Sequence, residues 1–193
     1  VRGYKKETVN LPNLTYVDND DFADTGELAS LLKALQSLKG PARSTIVSYG
    51  DVLFNKYIPQ SLCQENDDYV IFVDSNWQEQ TSYARLGGFT ECTIPNSRRA
   101  FNAKIYLKQI GDNIPQACIH GVCMGFLKVS AGATELITDI IVELLRNPAN
   151  RKANISQLLQ ELLRRRYPVR VLYTAGHWLD INSLDDVVQA GSF

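Results

Sequence analysis

The sequence predicts an α/β fold in which helices flank a mixed, mostly parallel Rossmann-like sheet. Short β-branched or apolar runs alternate with longer segments of helical periodicity, the pattern of helices packed on a parallel sheet. The 193 residues are 45% hydrophobic and 21% charged, as in an ordinary globular domain, and are long enough to bury a sizeable core. Two of the apolar runs, STIVSY and DYVIFVD, lack polar alternation and so read as strands buried on both faces.

Each element has its own signal. After LTYVDN, Leu28, Leu31, Leu32, Leu35 and Leu38 fall at helical spacing, so a helix is expected over about 26–39, capped by Thr25 or Asp24 and stopped by Gly40-Pro41. The strand STIVSY ends in Gly50-Asp51, and DVLFNKYIPQSL then reads as a helix interrupted by Pro59. DYVIFVD ends in Asp74, with Ser75, Asn76 and Trp77 in its exit loop. From about 78 to 117 the periodicity is poor, and this stretch is expected as an inserted lobe beyond the main sheet. Helical spacing returns at Leu136, Ile137, Ile140, Ile141, Leu144 and Leu145, ending before Pro148. A further helix follows Asn154, and Arg164, Arg165 and Arg166 suit its negative carboxyl end. The strand VRVLYT leads into AGHWLDI, and Ser183 with Asp186 forms a capping box for a last helix, LDDVVQA. One domain, 1–193, is expected.

Composition restricts the function. Twenty basic against twenty-one acidic residues give a net charge of -1, which leaves no chain-wide footprint for nucleic acid or an anionic membrane. No apolar run approaches the roughly 18 residues of a membrane span. The four cysteines form no pair of CxxC knuckles and are few for a disulfide scaffold, so a reducing cytoplasm is the expected setting. His120, between Cys118 and Cys123, gives only three soft ligands, short of the usual four for zinc, and is expected to pack. His177 is expected to pack on Trp178. The chain carries no GxSxG elbow and no P-loop, against a serine hydrolase or P-loop kinase.

In open α/β sheets the ligand crevice lies outside the carboxyl ends of the strands. Asp51, Asp74 and Asp180 all directly follow strands, where they either cap turns or hold a hard cation such as Mg²⁺, which takes one or two carboxylates plus phosphate oxygens and water.

The segments SYGDVLF, VDNDDFADTGELASLLKAL and GHWLDINSLDDVVQA together resemble the nucleotidyltransferase fold of the sugar-phosphate and phosphocholine cytidylyltransferases. VDSNWQ, PNSRRAF, YLKQIGDN and HGVCMGFLKVSAGA are most similar to the nucleotidyltransferase domain associated with phosphoenolpyruvate phosphomutases of phosphonate biosynthesis. The resemblance implies a nucleotide-diphospho-sugar transferase-like sheet and Mg²⁺-dependent transfer of a nucleotidyl group, with release of pyrophosphate. The donor would be CTP or another nucleoside triphosphate, and the acceptor a phosphonate or a phosphorylated small molecule. It makes Asp51 and Asp180 the catalytic, metal-holding acids. It places Thr25, Gly26, Glu27, Ser30 and Gly50 near the nucleotide, Gly26 permitting close approach and the following helix offering amide groups. Arg98, Arg99, Lys104 and Lys128 are candidates for the acceptor's anion, guanidinium being suited to two-point grip. The family's first strand and its LxxGxGxR loop have no match in these residues, and VRGYKKE aligns with the next strand and turn, so an upstream segment or a truncated relative without catalysis is expected. Val122 and Cys123 stand where the phosphonate-associated relatives carry an acidic residue, which leaves the acceptor open. Exposed strand edges leave room for a homo-oligomer.

Overall fold

The computed structural model describes residues 1–38, 43–79, 88–100 and 103–191. Its elements are α1 (Glu27–Ser37), β1 (Thr45–Val47), β2 (Val52–Phe54), α2 (Tyr57–Gln64), β3 (Tyr69–Asp74), β4 (Phe89–Cys92), β5 (Ile105–Gly111), β6 (Gly121–Val129), α3 (Thr134–Arg146), α4 (Ile155–Arg164), β7 (Val169–Thr174), β8 (Trp178–Asp180) and α5 (Leu184–Ala190). Short 3₁₀ turns join several of them.

Six strands form one sheet in the order β1-β6-β3-β7-β5-β4, and β4 also pairs with β6. The sheet is mixed, but β3–β7 is its only parallel pairing among the described residues, which corrects the expectation of a mostly parallel sheet. The cause lies in the segment expected as a separate lobe. β4 and β5 are strands of the sheet itself, β5 pairing antiparallel with β4 and β7, and β4 pairing antiparallel with β6 as well. Because β4 pairs with both β5 and β6, strands β3, β7, β5, β4 and β6 close on one another as a five-stranded barrel, and β1 hangs from the remaining edge of β6.

The nine-residue β6 serves three partners. Along one edge it follows β3, while the other meets β1 at Leu127–Val129 and β4 at Gly121 and Val122. The register with β3 slips between Ile71 and Val73, and Gly125 sits within the resulting bulge at φ 75°. A bulge of this kind bends a strand, and a left-handed position suits glycine. Here the glycine has a second reason, since a Cβ would stand 2.1 Å from the Tyr49 ring.

Two cores flank the sheet. On one face Tyr69, Ile71 and Val73 of β3, with Cys123, Leu127 and Val129 of β6, pack beneath α1, α3 and α4. On the other, Val70, Phe72, Val122, Met124 and Phe126 pack under α2 and the two-stranded β2–β8 ribbon through Ile58, Leu62, Val52 and Trp178. Every residue of β3 and β6 is buried, Asp74 and Lys128 included, in keeping with their largely apolar sequences. The helix α4 buries Ile155, Leu158, Leu159 and Leu162, each worth about 1.5–3 kcal/mol on removal from water. Its expected start at Asn154 is a full capping box with Gln157.

Three local expectations change. The helix α1 begins without a side-chain cap, after Gly26 rather than Asp24 or Thr25, and its expected Gly40-Pro41 stop lies outside the described residues. DVLFNKYIPQSL is a strand followed by a helix. Pro59 lies in the first turn of α2, where a missing N–H costs nothing, so it starts this helix rather than interrupting it. No helix among the described residues is long and apolar enough to cross a membrane.

Candidate functional site

β1, β3 and β7 run in one direction, so their carboxyl ends open on one side of the sheet. There β1 continues through Ser48, Tyr49 and Gly50 to Asp51, and β3 ends at Asp74. The ribbon crosses the same region. Val52 pairs with Asp180, Leu53 with Leu179 and Phe54 with Trp178, and the Ile181 N–H donates to the Asp51 carbonyl at 2.8 Å. Tertiary structure therefore brings Asp51 and Asp180, far apart in sequence, to one end of the same ribbon. They are not directly opposed. Asp180 faces inward with Val52 and is 7% exposed, while Asp51 stands one step further out and is exposed. The Asn182 side-chain amide donates to the Asp180 carboxyl.

Asp74 is 1% exposed and has a different task. Its Oδ2 accepts from Trp178 Nε1 at 2.8 Å, and its Oδ1 accepts from the backbone N–H groups of Asn76 at 2.9 Å and Gly176 at 3.2 Å. It thereby binds the end of β3 to the turn that delivers β8 and Asp180. Below that, Ser183 and Asp186 cap α5 reciprocally, and the Asn182 N–H also donates to Asp186 Oδ2 at 2.9 Å. The Ser183 hydroxyl and these amides hold the Asp186 carboxyl below the usual carboxylate range.

The positions expected near the nucleotide divide. Glu27, Ser30 and Gly50 line a cavity of about 520 Å³ between α1, β1 and the first three residues of the chain. Glu27 Oε2 accepts from the Tyr49 hydroxyl at 2.8 Å and from the Ile155 N–H at 3.0 Å. Burial, with the Glu27 charge beside it, pushes the Tyr49 phenol far above its ordinary value, so it remains a donor. Thr25 and Ser30 accept from the Asn19 side-chain amide at 3.0 and 3.1 Å. Gly26 is needed for packing. A Cβ there would stand 2.4 Å from the backbone of Lys152, and the N–H groups of Gly26 and Leu28 donate to Arg151 and Ala153 carbonyls at 2.9 and 3.1 Å. Those two amides, expected to face a ligand, are thus spent on the loop before α4.

The basic candidates divide too. Arg98 and Arg99 are exposed in a turn next to Asn96, whose side chain donates to Ser75 Oγ at 2.8 Å, so this turn borders the carboxyl end of β3. Lys128 and Lys104 lie at the opposite end. The Lys128 ammonium is buried and donates to the carbonyls of Glu65 at 3.1 Å and Asp67 at 2.6 Å, and Lys104 pairs with the Asp67 carboxyl at 3.5 Å. Both correct the expectation that they reach the crevice: the strand β6 runs antiparallel, so its residue 128 sits beside the amino end of β3.

His120 packs as expected, its Nδ1 accepting from the Cys92 N–H at 3.1 Å. His177 packs on the Tyr57 ring, edge to face at 5.7 Å, in place of Trp178, and its φ is 67°. Among the described residues no group of three or more histidines, cysteines or acids converges for a metal ion. Sequence reasoning missed Asn19 and Tyr49. Neither carries a motif, although Tyr49 does adjoin Gly50-Asp51.

These features define a nucleotide-diphospho-sugar transferase-like α/β fold, and its solved neighbours are nucleotidyltransferases. The inositol-1-phosphate CTP transferase of T. maritima superposes with a TM-score of 0.62 at 14% identity, over 88% of this chain and 60% of that one. The CTP:phosphocholine cytidylyltransferase of Streptococcus pneumoniae gives 0.57 at 14% identity, over 91% and 67%. A UDP-glucose pyrophosphorylase of Acinetobacter baumanii gives 0.59 at 13% identity, over 96% and 61%. The chain thus spans roughly three fifths of the length of the structures it resembles. No family model and no curated protein matches the sequence.

Proposed function

We propose that this chain is the nucleotide-handling part of an enzyme that transfers a nucleotidyl group, cytidylyl from CTP, to a phosphonate or phosphorylated acceptor with release of pyrophosphate. The observation that carries the reading is the placing of Asp51 and Asp180 at one end of the β2–β8 ribbon, beside Gly50 and at the carboxyl ends of the strands, on this fold. An association with phosphoenolpyruvate phosphomutase belongs to the same proposal and rests on the segments that resemble that family.

The donor set suits Mg²⁺. Two carboxylates are too few for an all-protein cage, but they match an ion that keeps waters and completes its shell with phosphate oxygens. Asp51 and Asp180 would hold it, and when bound it would offset the charge of the triphosphate and of the leaving pyrophosphate. The chain's own residues supply position. Asp74 holds the turn into β8 through Trp178, Asn182 orients the Asp180 carboxyl, and Tyr49 with Glu27 holds the exit of β1 against α1. Arg98 and Arg99, at the border of the crevice, would pair with the acceptor's anion. In such an in-line displacement most of the rate comes from positioning and electrostatics, with no covalent intermediate on the protein.

Calorimetric titration of the 193-residue chain with CTP, with and without Mg²⁺, tests this. The expected result is Mg²⁺-dependent binding that weakens at least tenfold in Asp51→Asn and Asp180→Ala. Equal affinity in the variants removes the two acids from the site. Parallel titrations with UTP and dTTP assign the base.

A second reading, a domain that binds nucleotide or a partner without turnover, is favoured by the cavity along β1. Binding of CTP with no pyrophosphate release in the presence of 2-aminoethylphosphonate, phosphocholine or a sugar phosphate would support it.

A further inference from the structure

We propose that His177 is a specificity-determining residue that reads the end of the acceptor farthest from its phosphorus, and that this end carries a hydroxyl. The proposal rests on the nucleotidyl-transfer reading and deepens it. Gly176 and His177 are consecutive left-handed residues, at φ 72° and 67°, in the turn from β7 to β8. A side chain at such a position carries backbone strain that glycine avoids, and strain of this kind persists only where the surrounding bonds over-determine it. Here four do. The Gly176 N–H donates to Asp74 Oδ1 at 3.2 Å, and the Gly176 carbonyl accepts from the Thr174 hydroxyl at 3.0 Å. The His177 carbonyl accepts from the Asn55 N–H at 3.1 Å, and Trp178 Nε1 donates to Asp74 Oδ2 at 2.8 Å. What the turn holds out is an imidazole that stays exposed while it rests against the Tyr57 ring.

The ribbon fixes where that ring stands. Its Asp51–Asp180 end adjoins the exit of β1, and its other end, where Phe54 pairs with Trp178, adjoins the exit of β7. At a rise of about 3.3 Å per residue, His177 lies about 10 Å along the ribbon from Asp180, on the side away from Gly50. The exits of β7 and β3 are joined there by the Ser75 N–H on the Thr174 carbonyl at 2.9 Å, and Asn96, next to Arg98 and Arg99, donates to Ser75 Oγ. A small acceptor whose phosphorus faces Asp51 and Asp180 therefore reaches His177 with its far end. A neutral imidazole offers one donor and one acceptor, which matches a hydroxyl. An ammonium calls for a carboxylate, and the acid of this joint, Asp74, is 1% exposed under Trp178. The acceptor class is thus a hydroxyalkyl phosphonate or phosphate in preference to an aminoalkyl one.

The test uses the 193-residue chain with Mg²⁺ and the α,β-methylene analogue of CTP, which cannot release pyrophosphate. The chain has two histidines, so its imidazole NMR spectrum carries two signals, and His120, bonded to the Cys92 N–H, is the internal control. Saturating 2-hydroxyethylphosphonate is expected to move the His177 signal and leave that of His120 in place, whereas methylphosphonate, which has no far end, moves neither. The hydroxyl compound should bind about fivefold tighter than methylphosphonate or 2-aminoethylphosphonate, the worth of one hydrogen bond. His177→Gly, which removes the ring and suits the left-handed turn, should keep or raise the urea midpoint, leave methylphosphonate affinity unchanged and abolish the preference. The proposal is overturned by a His177 signal that does not move, by a preference that survives in His177→Gly, by tighter binding of the amine, or by equal loss of both ligands in the variant, which would make the role structural. Failure of the CTP analogue to bind overturns the underlying reading and this assignment with it; binding of the analogue with a silent His177 overturns this assignment alone.

Discussion

Replacing Asp74 by alanine should cost the fold far more than an acid at a strand end ordinarily does. Its carboxyl accepts from Trp178 Nε1 at 2.8 Å, from Asn76 N–H at 2.9 Å and from Gly176 N–H at 3.2 Å, and both Asp74 and the Trp178 ring are buried. Alanine leaves Trp178 Nε1 with no acceptor in a buried setting, while the turn amides, on exposed Asn76 and half-buried Gly176, turn to water at small cost. Leaving a buried donor unpaired costs about 1–3 kcal/mol. Trp178 Nε1 should carry the upper part of that range and the two turn amides add little, so the total is about 2–3 kcal/mol. Asn should cost about half as much, since its single carbonyl oxygen satisfies one side while its NH₂ opposes a donor on the other. The assay is urea unfolding followed by tryptophan fluorescence, with the change read from the midpoint at constant slope. The fluorescence carries a second signal, because Trp178 loses its partner. A destabilisation below about 1 kcal/mol for Asp74→Ala would refute the view that this carboxyl fastens β3 to the turn before β8.

Two further predictions concern stability. The Glu161 carboxyl is held down to about 2 by hydrogen bonds from Arg164 and then Arg165. A depressed acid stabilises above its unfolded value and loses that contribution as pH falls through its folded value. The difference in urea midpoint between the parent and Glu161→Gln should therefore be constant at pH 6 and vanish as pH falls from about 4.5 toward 2; a difference that does not change over that window contradicts it. Gly26→Ala would push a Cβ into the backbone of Lys152 at 2.4 Å, and overpacking of this kind costs about 1–3 kcal/mol. Lowered stability is expected, whereas unchanged stability with lost CTP binding would return Gly26 to the nucleotide.

Local patterns were legible where the physics is local. The capping box at Ser183, the helical stripes of α3 and α4 and the apolar runs of β3 and β7 all need only neighbours in sequence. Pro59 was misread because one proline suits either the first turn or a break, and only the strand pairing of Val52–Phe54 with Trp178–Asp180 shows where the helix starts. The strands β4 and β5 were invisible as sheet members. Their half-buried alternation is weak, and their place depends on β7 and β6, far away in the chain.

The site divides in the same way. The sequence alone determined that Asp51, Asp74 and Asp180 follow strands, because strand ends and acids are both written in short stretches of residues. Tertiary structure decided their surroundings. It seats Asp74 under Trp178 as a fastening, brings Asp51 and Asp180 to one end of the ribbon, and sends Lys128 to the far end of the sheet because β6 runs antiparallel. Whether an acid is spent on its own chain depends on the donors that surround it, and for Asp74 the Trp178 donor comes from a residue a hundred positions away.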